Sequence, residues 1–181
     1  AAPYFRSIDT PRNRACLQRF SQQFGDRVET SMLWEAAYFQ VHLFALAFAK
    51  LLGAHVTVIS SSEERLGRAK QLGADAGVNY RSTPEWARAT RDITAGRGYD
   101  LILELGGEKT LPQSLRCIRP GGTVAMIGIL SGSAMATSLG LIITRQVRLQ
   151  GVTVGHRDGF EAMLRAIDQH RLKPVVDRVF P

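Results

Sequence analysis

From His55 to the end of the chain, short β-branched runs alternate with stretches of helical periodicity, and this alternation narrows the fold more than any other feature. Strands separated by helices pair parallel through crossovers, so the pattern predicts an α/β sheet with both faces meant for burial. Strands are predicted at 56–60, 76–79, 101–105, 123–128, 147–152 and 175–179, with helices near 63–72, 84–94, 109–117, 136–144 and 159–170. Ser61 with Glu64 reads as a capping box for the first of these helices, and Thr83 followed by Pro84 reads as the cap of the second.

Upstream the pattern is helical. Thr10 and Pro11 start a short amphipathic helix that Gly25 stops, and a longer helix runs from about Ser31 to Leu52, ended by Gly53. The second is apolar nearly all round, which predicts burial. With 181 residues, 45% of them hydrophobic, the chain can bury one core. The 23 basic residues outnumber 16 acidic ones, but in the sequence they are scattered (Arg65, Arg68, Lys70, Arg88, Arg91, Arg97) without interleaved aromatics, so no nucleic-acid partner is expected. Cys16 and Cys117 are far apart and outside any ligand-spaced cluster, and no run approaches the length of a membrane span. The expectation is a cytoplasmic protein with reduced thiols, no metal site and no membrane partner.

The run 43–54, followed by His55-Val56-Thr57-Val58-Ile59-Ser60, and then Gln71-Leu72-Gly73-Ala74-Asp75, Tyr99-Asp100-Leu101-Ile102-Leu103-Glu104 and Ile118-Arg119-Pro120-Gly121-Gly122-Thr123, resemble in order and spacing the cofactor domain of the medium-chain dehydrogenase/reductase superfamily. The likeness is to its zinc-type alcohol dehydrogenase and quinone reductase branches, over about 41–181. Residues 1 to about 44, with Tyr4-Phe5-Arg6-Ser7-Ile8-Asp9-Thr10-Pro11 and Glu35-Ala36-Ala37-Tyr38-Phe39-Gln40, resemble instead the amide- and urea-binding branch of periplasmic solute-binding proteins. The chain thus reads as a chimera: an N-terminal helical segment, 1–40, and a truncated dinucleotide-binding domain, 41–181. Its expected fold is an incomplete doubly wound parallel sheet of Rossmann type.

The resemblance implies NADP, or else NAD, as cofactor. A Gly-rich turn should then precede Val41 so that backbone N–H groups can approach a pyrophosphate at a helix N-terminus. Ala37, Tyr38, Phe39 and Gln40 stand there, and no glycine occurs between Gly25 and Gly53. The first strand of the family's sheet is expected to be lost with the turn, leaving exposed sheet edges through which a homodimer could form. The second strand ends at Ser60, where an NAD-preferring enzyme would carry an acid. Ser60, Ser61, Ser62 and Arg65 suit a 2′-phosphate, and equally the serines suit plain helix capping.

By resemblance, Asn79 and Tyr80 belong to the adenosine side. Leu105, Gly106 and Gly107 belong near a ribose, and Ile127, Gly128 and Ile129, with Val154 and Gly155, belong near the nicotinamide. The glycines serve tight turns as readily as ligand contact. Asp100 and Glu104 read as turn and edge residues, the four histidines have no partner at metal-binding spacing, and no nucleophile has a nearby base, so no catalytic residue is assigned. The expected function is a dinucleotide-binding domain of an oxidoreductase, with weak or no cofactor binding and no turnover. The alternatives are a chimeric α/β module without cofactor, or a fragment of an amide or urea transporter's binding protein.

Overall fold

A computed structural model describes residues 45–135, 137–153 and 155–173. The elements below lie in the compact unit Leu46–Arg171. Helix α1 covers 46–51 and is followed by β1 (Thr57–Ser60), α2 (Glu63–Gln71), β2 (Ala76–Asn79), α3 (Trp86–Ile93) and β3 (Tyr99–Glu104). Then come α4 (Leu111–Cys117), β4 (Ile118–Met126), α5 (Leu139–Thr144), β5 (Arg148–Gly151) and α6 (Arg157–Gln169). Every strand with a sequence counterpart inside the described residues is present; the expected strand at 175–179 and the helices before 45 lie outside them.

All strand pairs are parallel, as alternation with helices requires. They form two sheets, β1-β2 and β3-β4-β5. Among the described residues no strand joins β1 to β3, the position where the expected sheet order would place a first strand. The two sheets share a core instead: Val78, Trp86, Ala87 and Cys117 are buried together, with Ile59 of β1 and Tyr99 and Ile102 of β3 packed against them. A second cluster under α4 holds Leu111, Leu115, Ile118, Val124 and Val147. Leu115, Ile118 and Val124 are wholly buried, each stabilising the fold by roughly 1.5–3 kcal/mol.

The two faces of the three-stranded sheet differ along β3. Ile102 and Val124 face the α4 cluster, whereas Leu101 and Leu103 on the opposite pleat of β3 are 55% and 38% exposed. The β3–β4 register also jumps, from Tyr99↔Ile118 to Leu101↔Thr123, as Pro120, Gly121 and Gly122 bulge out of β4.

Three expectations need correction. The N-cap of α2 is Ser62, whose side chain accepts from the Arg65 N–H, so Ser61 and Glu64 form no capping box. The N-cap of α3 is Glu85, without a side-chain bond, and the Thr83-Pro84 pair instead ends a turn in which the Thr83 N–H donates to the Asn79 carbonyl. In α1, Leu46 is buried against Ala69 and Ala74, but Leu51 and Leu52 at the helix's end are 45% and 86% exposed, so its described part is not buried all round. Lys50 ties this helix down from the polar side: its ammonium bonds the Ala54 carbonyl at 3.0 Å and both Asp75 oxygens at 2.8 and 2.9 Å.

Candidate functional site

Parallel strands end together, and the loops at their carboxyl ends are where ligands of open α/β sheets sit. Ser60 and Asn79 are register partners at the ends of β1 and β2, which brings Ser60, Ser61, Ser62, Asn79 and Tyr80 to one place. Two of the serine hydroxyl oxygens there accept backbone bonds. Ser60 Oγ accepts from the Ser62 N–H at 3.3 Å and Ser62 Oγ from the Arg65 N–H at 3.3 Å, while the Tyr80 N–H donates to the Ser60 carbonyl at 3.0 Å. Asn79 Nδ2 donates to Glu63 Oε1 at 2.6 Å, and Asn79 Oδ1 accepts from the Arg81 N–H. A carboxylate thus stands beside the serines, at the first position of α2, where the helix dipole favours it. Tyr80 is 42% exposed.

The second group is built around a residue whose importance the sequence concealed. Glu104 ends β3, is 4% exposed, and gathers four donors. Its Oε1 accepts from the N–H groups of Gly106 and Gly107 at 2.8 and 3.1 Å and from Thr110 Oγ1 at 2.5 Å; its Oε2 accepts from Ser114 Oγ at 2.5 Å. A buried carboxylate is tolerated only when its oxygens are satisfied in this way. The consequence for the site is specific: the Gly106 and Gly107 amides point inward and are not donors for a ligand.

The loops after β3 and β4 are latched to each other. The Ile127 and Gly128 N–H groups donate to the Glu104 carbonyl at 2.8 and 3.2 Å, the Leu130 N–H to Leu105 at 3.2 Å, and the Ser131 N–H to Gly106 at 2.7 Å. Ser131 Oγ adds a bond to the same Gly106 carbonyl and accepts from the Lys109 N–H. This approach requires glycine at two positions. A Cβ on Gly128 would meet the Leu105 carbonyl at 2.6 Å, and one on Gly107, where φ is +85°, would meet the Gly132 carbonyl at 2.6 Å.

Leu105, Gly106, Gly107, Ile127, Gly128 and Ile129 are therefore brought together, with Ile127 and Ile129 36% and 66% exposed. Val154 lies outside the described residues. Gly155 is exposed, and a Cβ there would meet nothing within 4 Å.

Among the described residues no three His, Cys, Asp or Glu side chains converge as metal ligands would. Cys117 is buried in the core, where loss of water pushes its thiol up to about 11. His156 is highly exposed, 3.8 Å from Asp158. No helix among the described residues is long and apolar enough to cross a membrane.

Comparison with known proteins accords with this geometry. A model of the zinc-binding dehydrogenase family matches residues 41–169, and a periplasmic binding protein domain model matches residues 1–73, so the two overlap over 41–73. A zinc-type alcohol dehydrogenase-like protein of Schizosaccharomyces pombe is 43% identical over 145 residues, 78% of this chain and 42% of that protein. L-threonine 3-dehydrogenase of Pyrococcus furiosus is 34% identical over 116 residues, 63% of this chain and 33% of its own. Among solved structures, a putative alcohol dehydrogenase from Sinorhizobium meliloti superposes with a TM-score of 0.70 at 41% identity, over 75% of this chain and 40% of that one. A 2-haloacrylate reductase superposes with a TM-score of 0.63 at 30% identity, over 69% and 42%.

The chain spans about two-fifths of the length of the first of these relatives. The N-terminal likeness extends beyond the boundary near residue 44 expected from sequence. With parallel strands, latched carboxyl-end loops and a family match over most of its length, the chain belongs to the zinc-binding dehydrogenase family of medium-chain oxidoreductases.

Proposed function

We propose that the carboxyl ends of β1 to β4 form a dinucleotide site in two parts, one for the adenosine ribose and one for the nicotinamide, with the pyrophosphate seat between them lost. The observation that carries the reading is the preformed pair of loops after β3 and β4, held by Glu104 beside the apolar Ile127 and Ile129. Relatives with this fold are dehydrogenases and reductases by name, and a related crotonyl-CoA carboxylase/reductase structure, 24% identical, was solved with NADP.

The cofactor proposed is NADP rather than NAD, because Ser60–Ser62 and Arg65 stand where an acid would otherwise accept the ribose hydroxyl. Glu63 stands beside these residues and accepts from Asn79 Nδ2 at its Oε1. Binding is weak because Ala37 to Gln40 offer no glycine turn for the pyrophosphate. No turnover is expected from this chain, since its described residues supply no metal cluster and the sequence offers no base beside a nucleophile. The proposed division is 1–40 and 41–181, and the buried thiol of Cys117 suits a reducing compartment such as the cytoplasm.

Calorimetric titration with NADPH tests the reading. The expected result is saturable millimolar-range binding by the unaltered chain, tightened at least about tenfold by the Phe39→Gly, Gln40→Gly double substitution, a gain of about 1.4 kcal/mol. Absence of binding by both proteins would favour the alternative, an α/β module without cofactor. Loss of NADPH absorbance with an aldehyde or quinone present would contradict the absence of turnover. The N-terminal match keeps one further reading in view, a solute-binding fragment, which saturable amide or urea binding would support.

A further inference from the structure

Arginines that are scattered in the sequence converge in space at the end of the unit opposite the site just described. Arg88 and Arg91 lie on one face of α3, Arg116 in the last turn of α4 and Arg145 at the C-cap of α5. Together they line a cleft of about 320 Å³, whose remaining charged groups are Glu85 and Asp92. The ends of α4 and α5 lead directly into the starts of β4 and β5, so the cleft belongs to the amino ends of the strands.

Two of the guanidiniums are fixed by the fold. Arg91 Nη1 donates to the Arg116 carbonyl at 3.3 Å and its Nη2 to the Gly96 carbonyl at 2.5 Å; Arg145 Nη1 donates to the same Arg116 carbonyl at 3.0 Å. Two positive charges therefore meet on one carbonyl oxygen, within two hydrogen-bond lengths of each other. The helix end draws only about half a unit of charge, less than the two guanidiniums bring. Each guanidinium has five N–H donors, so donors remain on both after the carbonyls are served. Among the described residues the Arg116 guanidinium meets Glu85 in an exposed contact at 3.7 Å, of a kind that contributes little and gives way readily. Four guanidiniums against two carboxylates leave the cleft with two positive charges in excess.

We propose that this cleft is a binding site for the phosphate or pyrophosphate group of a small phosphorylated ligand, separate from the dinucleotide site. Planar guanidiniums bond tetrahedral oxyanions two oxygens at a time, and here two of them are already held in place, so little conformational freedom remains to be lost on binding. A dianion also relieves the repulsion between Arg91 and Arg145. The site does not depend on the proposed dinucleotide function, because it shares no residue with it.

The test is calorimetric titration of inorganic pyrophosphate into the full chain at low ionic strength, where screening is least. Arg91 and Arg145 cap carbonyls, so the informative variant is Arg88→Gln, Arg116→Gln, checked by its melting temperature without ligand. The expected results are saturable binding by the unaltered chain, about tenfold or greater weakening in this variant, and no change in an Arg68→Gln, Lys70→Gln variant, which removes the same charge at exposed positions outside both sites. Pyrophosphate should also raise the melting temperature of the unaltered chain and not of the arginine variant. No saturable binding, equal binding by the arginine variant, or an equal loss in the Arg68→Gln, Lys70→Gln variant would each overturn the proposal.

Discussion

The hydroxyl of Tyr99, the first residue of β3, lies 2.9 Å from the hydroxyl of Thr57, the first residue of β1, and 3.0 Å from the Thr90 carbonyl. Tyr99 has one proton to give, so it donates to the carbonyl, which can only accept, and accepts from Thr57. The pair crosses from one sheet to the other where no described strand does, and burial pushes the phenol above its ordinary range. Tyr99→Phe is expected to lower stability by about 1 kcal/mol, and Thr57→Val to add little once Tyr99 is gone. Urea denaturation of the two single variants and the double variant checks this; fully additive losses would mean that the two hydroxyls are not coupled.

Glu104→Ala leaves two glycine amides and two hydroxyls of the β3–α4 turn without their acceptor. The expected cost is roughly 3 kcal/mol or more, with Glu104→Gln recovering about half, since an amide oxygen can still serve the glycines. Denaturation measures the cost, and the Gly106 and Gly107 amide resonances report whether the turn is kept. An Ala variant as stable as the original would remove Glu104 from the account.

Gly128→Ala should push the β4 loop away from Leu105, because its new Cβ would fall 2.6 Å from the Leu105 carbonyl oxygen. A loss of about 1–3 kcal/mol is expected, with faster hydrogen exchange at Leu130 and Ser131, whose N–H groups latch the loops. Unchanged exchange at both would show that the loops do not depend on close approach.

Acid should loosen the α1–β2 junction. The hydrogen bond from Lys50 holds the Asp75 carboxyl below its ordinary range, assisted by the Val56 N–H. A folded-state value below the unfolded one contributes stability above the ordinary carboxylate range and loses it as pH falls through the folded value. Asp100, held low chiefly by Arg119, acts in the same direction. Urea midpoints followed from about pH 6 to about pH 3 should fall less steeply in Asp75→Asn.

Cys117 should resist thiol reagents in the native state, since burial keeps its thiol protonated up to about 11. Its raised value favours the folded state at neutral pH, and that contribution is lost as pH rises past the ordinary thiol range. In a Cys16→Ser background, labelling should appear only on unfolding; rapid native labelling would contradict the burial of Cys117.

The strands were legible because β-branched runs and punctuating residues mark them locally: the segment 76–79 is found as β2 with the same bounds. The glycine pair after β3 and Gly128 after β4 were legible as turn residues. What was hidden depends on residues far apart in the chain. Glu104 looks like any strand-end acid until Thr110 and Ser114 come round on the next helix, and the four arginines of the basic cleft span 58 positions, from Arg88 to Arg145, counting both ends. Which of three adjacent serines caps α2 is decided by where the backbone leaves β1, a choice that Ser60, Ser61 and Ser62 do not announce in sequence.

The central claim, that the carboxyl-end loops receive the dinucleotide, is tested most directly by following backbone amide resonances of the labelled chain during titration with NADPH. The account predicts saturable shifts at Ser60–Ser62, Asn79, Tyr80, Leu105 and Ile127–Ile129, with any change at Arg88 and Arg116 abolished by inorganic pyrophosphate. Shifts confined to the arginine cleft, or none at either end, would contradict it.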